Sequence, residues 1–466
     1  MRTFHVFKHA AFPLMVLFTT LAMGADVSQS SKPLARLIIV DPGHFHATLL
    51  QKEMYPEIAP RVEVYAPLGP ELIDYMSRIA AFNRRADAPT SWRLDVHTGP
   101  DSMAEMLRDH KGNVVIFSGK NRGKIDRILA SLSAGLNVFA DKPWIILPNE
   151  LPKLEQALRM AREKDLVAYD IMTERYEITS MLQRELVQDR GVFGELKAGT
   201  QQEPAIDAHS DHMVMKVVSG VPLQRPVWFF NVNEYGEGLA DVGTHVVDLV
   251  NWTAFPAQIL DYRKDIQITG ALSWPLRLTQ KQFQQVTGRA EFPDNLLPWI
   301  HNGVFDYSCN NAVDYTIRGV HVRLKIEWKW EAPAGAGDVY EASFHGTKAA
   351  IEIRQGEKEH YRPEIYVVPS KDSGGDSVFA ALEKRIAALQ AKWPGLRVAR
   401  GANEAQIIIP DTLRTGHEAH FAQVANQFLK YLRDPKTMPE WETANMLAKY
   451  YVTTEGVAMA REGNGK

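Results

Sequence analysis

The stretch at residues 137–144, N-V-F-A-D-K-P-W, decides how the chain is read. Val138, Phe139 and Ala140 form an apolar run that is too short for a helix and suited to a strand covered on both faces. Asp141, Lys142 and Pro143 end it. Proline has no N–H to donate and turns the preceding residue away from helix, which predicts Lys142 in an extended turn at the strand's carboxyl end. In open α/β sheets ligands bind at that end. On this stretch alone Lys142 is either a crevice residue or an ordinary surface lysine of a strand-to-helix loop.

Working outward, the segments before it alternate strand and helix. L-I-I-V at 37–40 predicts a strand that runs into D-P-G-H-F-H at 41–46, the position of a nucleotide-binding βα turn, and a helix follows at 47–54. Strands are predicted at 61–66, 94–97 and 114–117, and a helix at 74–83. Ser102 and Glu105 have capping-box spacing. Ile125, Ile128, Leu129 and Leu132 recur at helical spacing, Gly135 ends that helix, and the chain enters the strand before Lys142. Strand, helix, strand is a parallel crossover unit. This places a Rossmann-like α/β domain at 33–150.

Beyond it, Leu151, Leu154 and Leu158 mark a helix, 166–171 a strand and 176–187 another helix. From about Leu196 strands dominate. At 321–330, Val322, Leu324, Ile326, Trp328 and Trp330 alternate with charged residues, the pattern of a half-buried antiparallel strand. Residues 340–344 and 349–353 flank H-G-T-K and read as a hairpin. A charged helix within 378–400 reads as an insertion to which no chemistry attaches, and helices at 417–433 and 441–461 finish a second, α+β domain at 151–466, with packing of these terminal helices back on the first domain left open.

Composition narrows the function. The chain has 466 residues, 45% of them hydrophobic, enough for a large core and two domains. A formal net charge of -3 gives no electrostatic case for nucleic acid. Cys309 is the only cysteine, which excludes an internal disulfide and a cysteine metal cluster. Arg2 and Lys8 precede an apolar segment at 10–22, and Ala22-Met23-Gly24 supplies small residues before Ala25. Residues 1–24 therefore read as an export signal, giving an exported, periplasmic protein without a stable membrane anchor after cleavage.

The second stretch with chemical content is 238–252, G-L-A-D-V-G-T-H-V-V-D-L-V-N-W. Asp241, His245 and Asp248 fall four and three apart, on one helix face. A histidine titrating near neutrality and held by a carboxylate suits general acid or base work. A hydrogen bond between helices in the core is the other reading of the same spacing.

Together, D-K-P after a crossover unit and D-x-G-x-H-x-x-D about a hundred residues later resemble the Gfo/Idh/MocA family, named for glucose-fructose oxidoreductase and inositol dehydrogenase. V-F-G-E-L at 192–196, H-G-T-K at 345–348 and His420-Phe421 also resemble it, so the likeness spans most of the chain after residue 32. It implies a Rossmann domain that binds NAD or NADP tightly, a second domain whose open, mostly antiparallel sheet floors the substrate site, and homo-oligomers paired through that sheet. It also implies a sugar or polyol substrate. Carried over by motif, Lys142, Asp241 and His245 are the catalytic group. Gly43, His44, His46, Ser118, Asn121, Lys142 and Pro143 line the cofactor, and His212, Lys216 and Trp228 meet substrate. The likeness implies no metal.

The first turn departs from the pattern. G-x-G-x-x-G would fall on Asp41, Gly43 and His46, leaving one glycine of the motif and an aspartate where phosphates approach. The second strand ends Tyr65-Ala66-Pro67, without the acidic residue that holds an NAD ribose. Either the cofactor lies differently or binding has been lost. Export adds a constraint: a retained cofactor must be recycled within one turnover, which favours redox-neutral, NAD-dependent glycosidase-like chemistry. Two other classes stay open. His44-Phe45-His46 looks like the H-x-H of metal-dependent amidohydrolases, with Asp207, His209, Asp211 and His212 as further ligand types. A carbohydrate-binding protein on the same scaffold, stacking sugars on Trp228, Phe229 and Phe230, is the third.

Overall fold

The computed structural model describes residues 32–218 and 221–464. The proposed export signal at 1–24 lies outside them. Six strands form a parallel sheet: β1 (Leu37–Val40), β2 (Arg61–Tyr65), β3 (Arg93–His97), β4 (Val114–Phe117), β5 (Asn137–Ala140) and β6 (Ala168–Asp170), in the order β3-β2-β1-β4-β5-β6. This is the doubly wound order, with its crevice at the carboxyl ends of β1 and β4 where the strand order reverses. Residues of β1, β4 and β5 are buried along their whole length, as continuous apolar runs covered by helices on both faces require. The helices α2 (Pro70–Arg84), α3 (Ser102–Asp109), α4 (Lys124–Ser133) and α5 (Leu151–Glu163) make the crossovers.

Two expectations change here. The helix expected at 47–54 is only one turn, α1 (His46–Leu49), continued by a 3-10 turn at Leu50–Lys52. The sheet also runs past residue 150, because α5 and β6 repeat the crossover and Ala168 pairs with Val138.

After α6 (Ile178–Val187) comes the large sheet. Its strands are β7 (Ile206–Met213), β10 (Ile266–Thr279), β11 (Ile300–His301), β12 (Val304–Ile317), β13 (Val320–Lys329), β14 (Val339–His345), β15 (Ala349–Arg354), β16 (Glu364–Pro369), β17 (Arg397–Arg400) and β18 (Ala405–Ile408). A separate short hairpin is formed by β8 (Val217–Val218) and β9 (Val221–Pro222). The expected strand at 321–330 is antiparallel to β12 but parallel to β7. The reason is the connection: β7 reaches β13 only after a long excursion that includes α7 (Gly238–Asp241), α8 (Gly243–Ala254), α9 (Tyr262–Asp265) and α10 (Gln280–Thr287), and long crossovers permit parallel pairing. Val322, Leu324, Ile326 and Trp328 lie in the core, so that apolar face is spent inside the chain. The segment at 378–400 contributes α11 (Gly375–Leu389) and the edge strand β17, which extends the sheet.

The final helices join the two halves. On α12 (His417–Arg433), Phe421, Val424 and Phe428 pack into the core on one side of the parallel sheet, with Phe428 stacked on Phe139 at 4.6 Å. On α13 (Glu440–Asn464), Lys449 is fully buried between Asp170 of β6 at 2.7 Å and Asp248 of α8 at 3.1 Å. Arg175 completes the network, 2.5 Å from Asp248 and 2.9 Å from Glu442. Burial of these charges is costly and is offset only because each has opposite charges around it.

Candidate active site

The turn after β5 delivers Lys142 to the crevice, 8% exposed and joined to Pro143 through a cis peptide bond. Its Nζ donates to Asp241 Oδ1. The carboxylate is brought there by α7, and Gly238 lets that helix lie against the sheet: a Cβ at 238 would stand 2.2 Å from the Cys309 carbonyl oxygen. Glu237 and Asn311 fix the start of α7, since Leu239 N donates to Asn311 Oδ1 at 2.9 Å and Asn311 Nδ2 to Glu237 Oε2 at 2.7 Å. Burial alone would raise the Asp241 pKa, but Lys142 outweighs it and holds the carboxyl below its usual range.

One turn on, His245 sits on α8. Its Nδ1 is buried with no hydrogen-bond partner among the described residues, although the residue keeps some accessible surface. Burial, reinforced by the nearby Lys142 charge, lowers its pKa to about 3. The imidazole is therefore neutral at working pH, with a ring lone pair unprotonated, and burial beside Lys142 keeps it a weak base. It makes no hydrogen bond to Asp241, whose carboxylate is turned to Lys142. Asp248, on the same predicted face, belongs instead to the buried network of Arg175 and Lys449.

The substrate candidates divide. His212 Nδ1 lies 3.0 Å from Asp338 Oδ2, and Lys216 bonds the same carboxylate. Asp338 stays ionised despite burial because His212 and Lys216 stabilise its charge. Both His212 and Lys216 are close enough to Asp241 to interact electrostatically with it. Trp228, on the 3-10 turn Val227–Phe230, is 8% exposed and covers Gly43: a Cβ there would meet its ring at 2.9 Å. Phe229 and Phe230 are core residues.

The cofactor candidates are rearranged around the first turn. Gly43 N and His44 N both donate to the Ser118 carbonyl at 3.0 Å, and Ala47 N to the His44 carbonyl at 3.0 Å. Donors that would face a diphosphate in a glycine-rich turn are spent within the chain. Asn121 is 1% exposed and engaged, donating to the Tyr235 carbonyl at 2.6 Å and accepting from Lys124 at 2.7 Å. Asp41 is turned to Ser102 at 2.8 Å and Arg127 at 3.2 Å. The first turn therefore does not form an amide cradle for a cofactor's phosphates.

Three residues to which the sequence reading gave no role enter here. Asp141 Oδ2 lies 3.0 Å from His46 Nδ1 and 3.4 Å from His44 Nδ1. His417, at the start of α12, places Nε2 3.2 Å from His46 Nε2 and Nδ1 3.6 Å from Glu174. Asp141 was visible beside Lys142. His417 and Glu174 carried no signal, since only the packing of α12 onto the first half brings them to the turn. Asp207, His209 and Asp211 lie on β7, where His209 pairs with Asp211 at 2.6 Å and Glu327 at 3.3 Å. The barrel of an amidohydrolase is excluded by the fold, which has one open parallel sheet and one large mixed sheet.

A parallel sheet in doubly wound order, a lysine-proline turn after its fifth strand and an aspartate-histidine helix facing it make up the arrangement expected of a Gfo/Idh/MocA-type oxidoreductase. Residues 182–461 match the family described as "Putative oxidoreductase C terminal domain", and the chain belongs to that family. A crystal structure of a "putative oxidoreductase from Parabacteroides merdae ATCC 43184" is 42% identical, with a TM-score of 0.91 over 93% of this chain and 99% of that one. More distant folds agree: GenD2 from gentamicin A biosynthesis in complex with NAD is 15% identical with a TM-score of 0.56, covering 94% of this chain and 96% of that one. Levoglucosan dehydrogenase in complex with NADH and levoglucosan is 13% identical with a TM-score of 0.57, covering 92% and 97%. No curated protein sequence matches.

Proposed function

We propose that this protein is an exported, NAD- or NADP-dependent enzyme that oxidises or reduces a hydroxyl-bearing carbon of a sugar or glycoside. The observation that carries the reading is the meeting of Lys142, Asp241 and a neutral His245 at the carboxyl end of β5. His245 takes the hydroxyl proton. The Lys142 ammonium stabilises the negative charge that develops on oxygen, and Asp241 fixes the direction of that ammonium. A bound nicotinamide supplies the hydride acceptor or donor. His212 and Lys216, tied to Asp338, supply polar contacts for sugar hydroxyls.

Outside the cytoplasm a dissociating cofactor has no partner to regenerate it, which supports tight binding and redox-neutral turnover, including transient oxidation that permits loss of a glycosidic group. Pairing of two copies through the open sheet belongs to the same reading. Denaturing protein purified from its native compartment and identifying the released small molecules by mass spectrometry tests it. About one NAD or NADP per chain is the expected result. Absence of nucleotide, together with no binding of added NAD or NADP, overturns the reading.

A further inference from the structure

We propose that His44, His46 and Asp141 form a binding site for one divalent transition-metal ion, of which zinc is the best match. This goes beyond the oxidoreductase reading and does not depend on it.

The donor set is the first argument. Two imidazoles and one carboxylate, converging from separate strands' ends, are ligands that zinc, cobalt and manganese accept. Their spacing is the second. Ligand atoms on a tetrahedral ion with bonds of about 2.0–2.1 Å stand roughly 3.3 Å apart, and Asp141 Oδ2 lies 3.0 Å from His46 Nδ1 and 3.4 Å from His44 Nδ1.

The third argument is an unmet need. Asp141 is 4% exposed, and its other oxygen, Oδ1, has no partner among the described residues. Buried carboxylate oxygens are ordinarily satisfied. Oδ2 is the oxygen that faces both imidazoles, and Oδ1 is left over to add a second bond to an ion held there.

The surroundings are those of a metal-binding histidine. His46 Nε2 meets His417 Nε2 at 3.2 Å, and His417 is backed by Glu174 at 3.6 Å, so the ring's far nitrogen is oriented from outside. Ser118 Oγ lies 3.3 Å from Asp141 Oδ2. The backbone supports the convergence: Asp41 has a left-handed φ of 46°, and a Cβ at Gly119 would stand 2.7 Å from the Asp41 carbonyl, so the turns after β1 and β4 cross closely. The His44 side chain is 16% exposed, which leaves a way in for the ion and a coordination position for water or substrate oxygen. An ion there would place positive charge in the crevice where the spent N–H groups of the first turn do not.

The test uses the full chain after export, free of any affinity tag, stripped with chelator and then equilibrated with excess zinc before free ion is removed. Elemental analysis is expected to find about one zinc per chain. Cobalt in its place is expected to give the intense visible absorption of a low-symmetry tetrahedral site. His44→Gln and Asp141→Asn should each lower metal retention at least tenfold while circular dichroism remains that of the parent. Lys142→Met should lose turnover and keep the ion, which separates this site from the catalytic pair. A parent chain that retains no stoichiometric zinc, or folded His44→Gln and Asp141→Asn chains that retain as much as the parent, would overturn the proposal.

Discussion

Lys142 and Asp241, 99 residues apart in the chain, form a buried ion pair that joins the end of the parallel sheet to the helix lying on the large sheet. Neither charge has water enough to stand alone, so the pair is both structural and chemical. Lys142→Met leaves Asp241 buried without its partner, and a loss of about 3–5 kcal/mol is expected. The double change Lys142→Met with Asp241→Asn should restore most of that stability but none of the activity, because the cation beside the reacting oxygen is gone. Thermal unfolding and turnover, measured on all three chains, decide it: a double variant with recovered activity would refute the catalytic assignment.

His245 yields a pH prediction. Burial holds its folded pKa at about 3, below the unfolded value of about 6.5, with Lys142 and His417 adding to the shift and Glu174 and Asp248 opposing it. Between those values the unfolded chain binds a proton that the folded chain does not. Stability therefore rises with pH across that window, is complete above about 6.5, and is lost as pH falls toward the folded pKa. The contribution is of the order of a few kcal/mol. His245→Gln should flatten the acid side of the melting-temperature profile relative to the parent. An unchanged slope from pH 4 to 6.5 would show that the imidazole is protonated in the folded state.

The same two stretches show what the sequence could and could not supply. The turn at 141–143 and the helix at 238–252 were legible because proline, glycine and the spacing of charged residues act locally. The strands around them were legible because apolar runs and alternations report burial. The fate of each charged residue was not. Asp241 and Asp248 share a helix face, yet one meets Lys142 and the other Arg175 and Lys449, a choice made by β5 and α13. The helix expected at 47–54 stops short for a related reason: its last turn tightens to 3-10 at Leu50–Lys52 and Glu53 turns extended, a backbone choice that the helical spacing does not report. His417 joined the crevice only through the packing of α12.

Lys449 should be as important to folding as any core residue. It is 0% exposed, between Asp170 and Asp248, and truncation leaves two buried carboxylates short of a cation. Lys449→Met is expected to cost about 3–5 kcal/mol. Lys449→Arg should not rescue it fully, since a guanidinium needs more room than an ammonium in a packed interior. Denaturant unfolding of the three chains measures this. A Lys449→Met chain within about 1 kcal/mol of the parent would mean that Arg175 alone balances the network.

Gly43 and Trp228 offer a test of how the first turn is closed. A methyl group at 43 would stand 2.9 Å from Trp228 Cζ2, and neither partner is free to yield: the turn is held by Ser118, and the indole lies against Tyr235 at 5.7 Å between ring centres. Gly43 does not adopt a left-handed φ, so Gly43→Ala carries no backbone strain and its cost is steric alone, about 1–3 kcal/mol. The partner change Trp228→Phe removes the atom in conflict and loses packing of its own. If the contact is the cause, combining the two should give a chain more stable than the sum of the single losses predicts, a coupling of about 1 kcal/mol or more. Strict additivity would place the effect of Gly43→Ala elsewhere, in the close crossing with Gly119. The same chains report on function: Trp228 occupies the space beside the turn where a diphosphate would approach, so Trp228→Phe should strengthen binding of added NAD or NADP if the indole limits access, and leave it unchanged if the cofactor avoids the first turn.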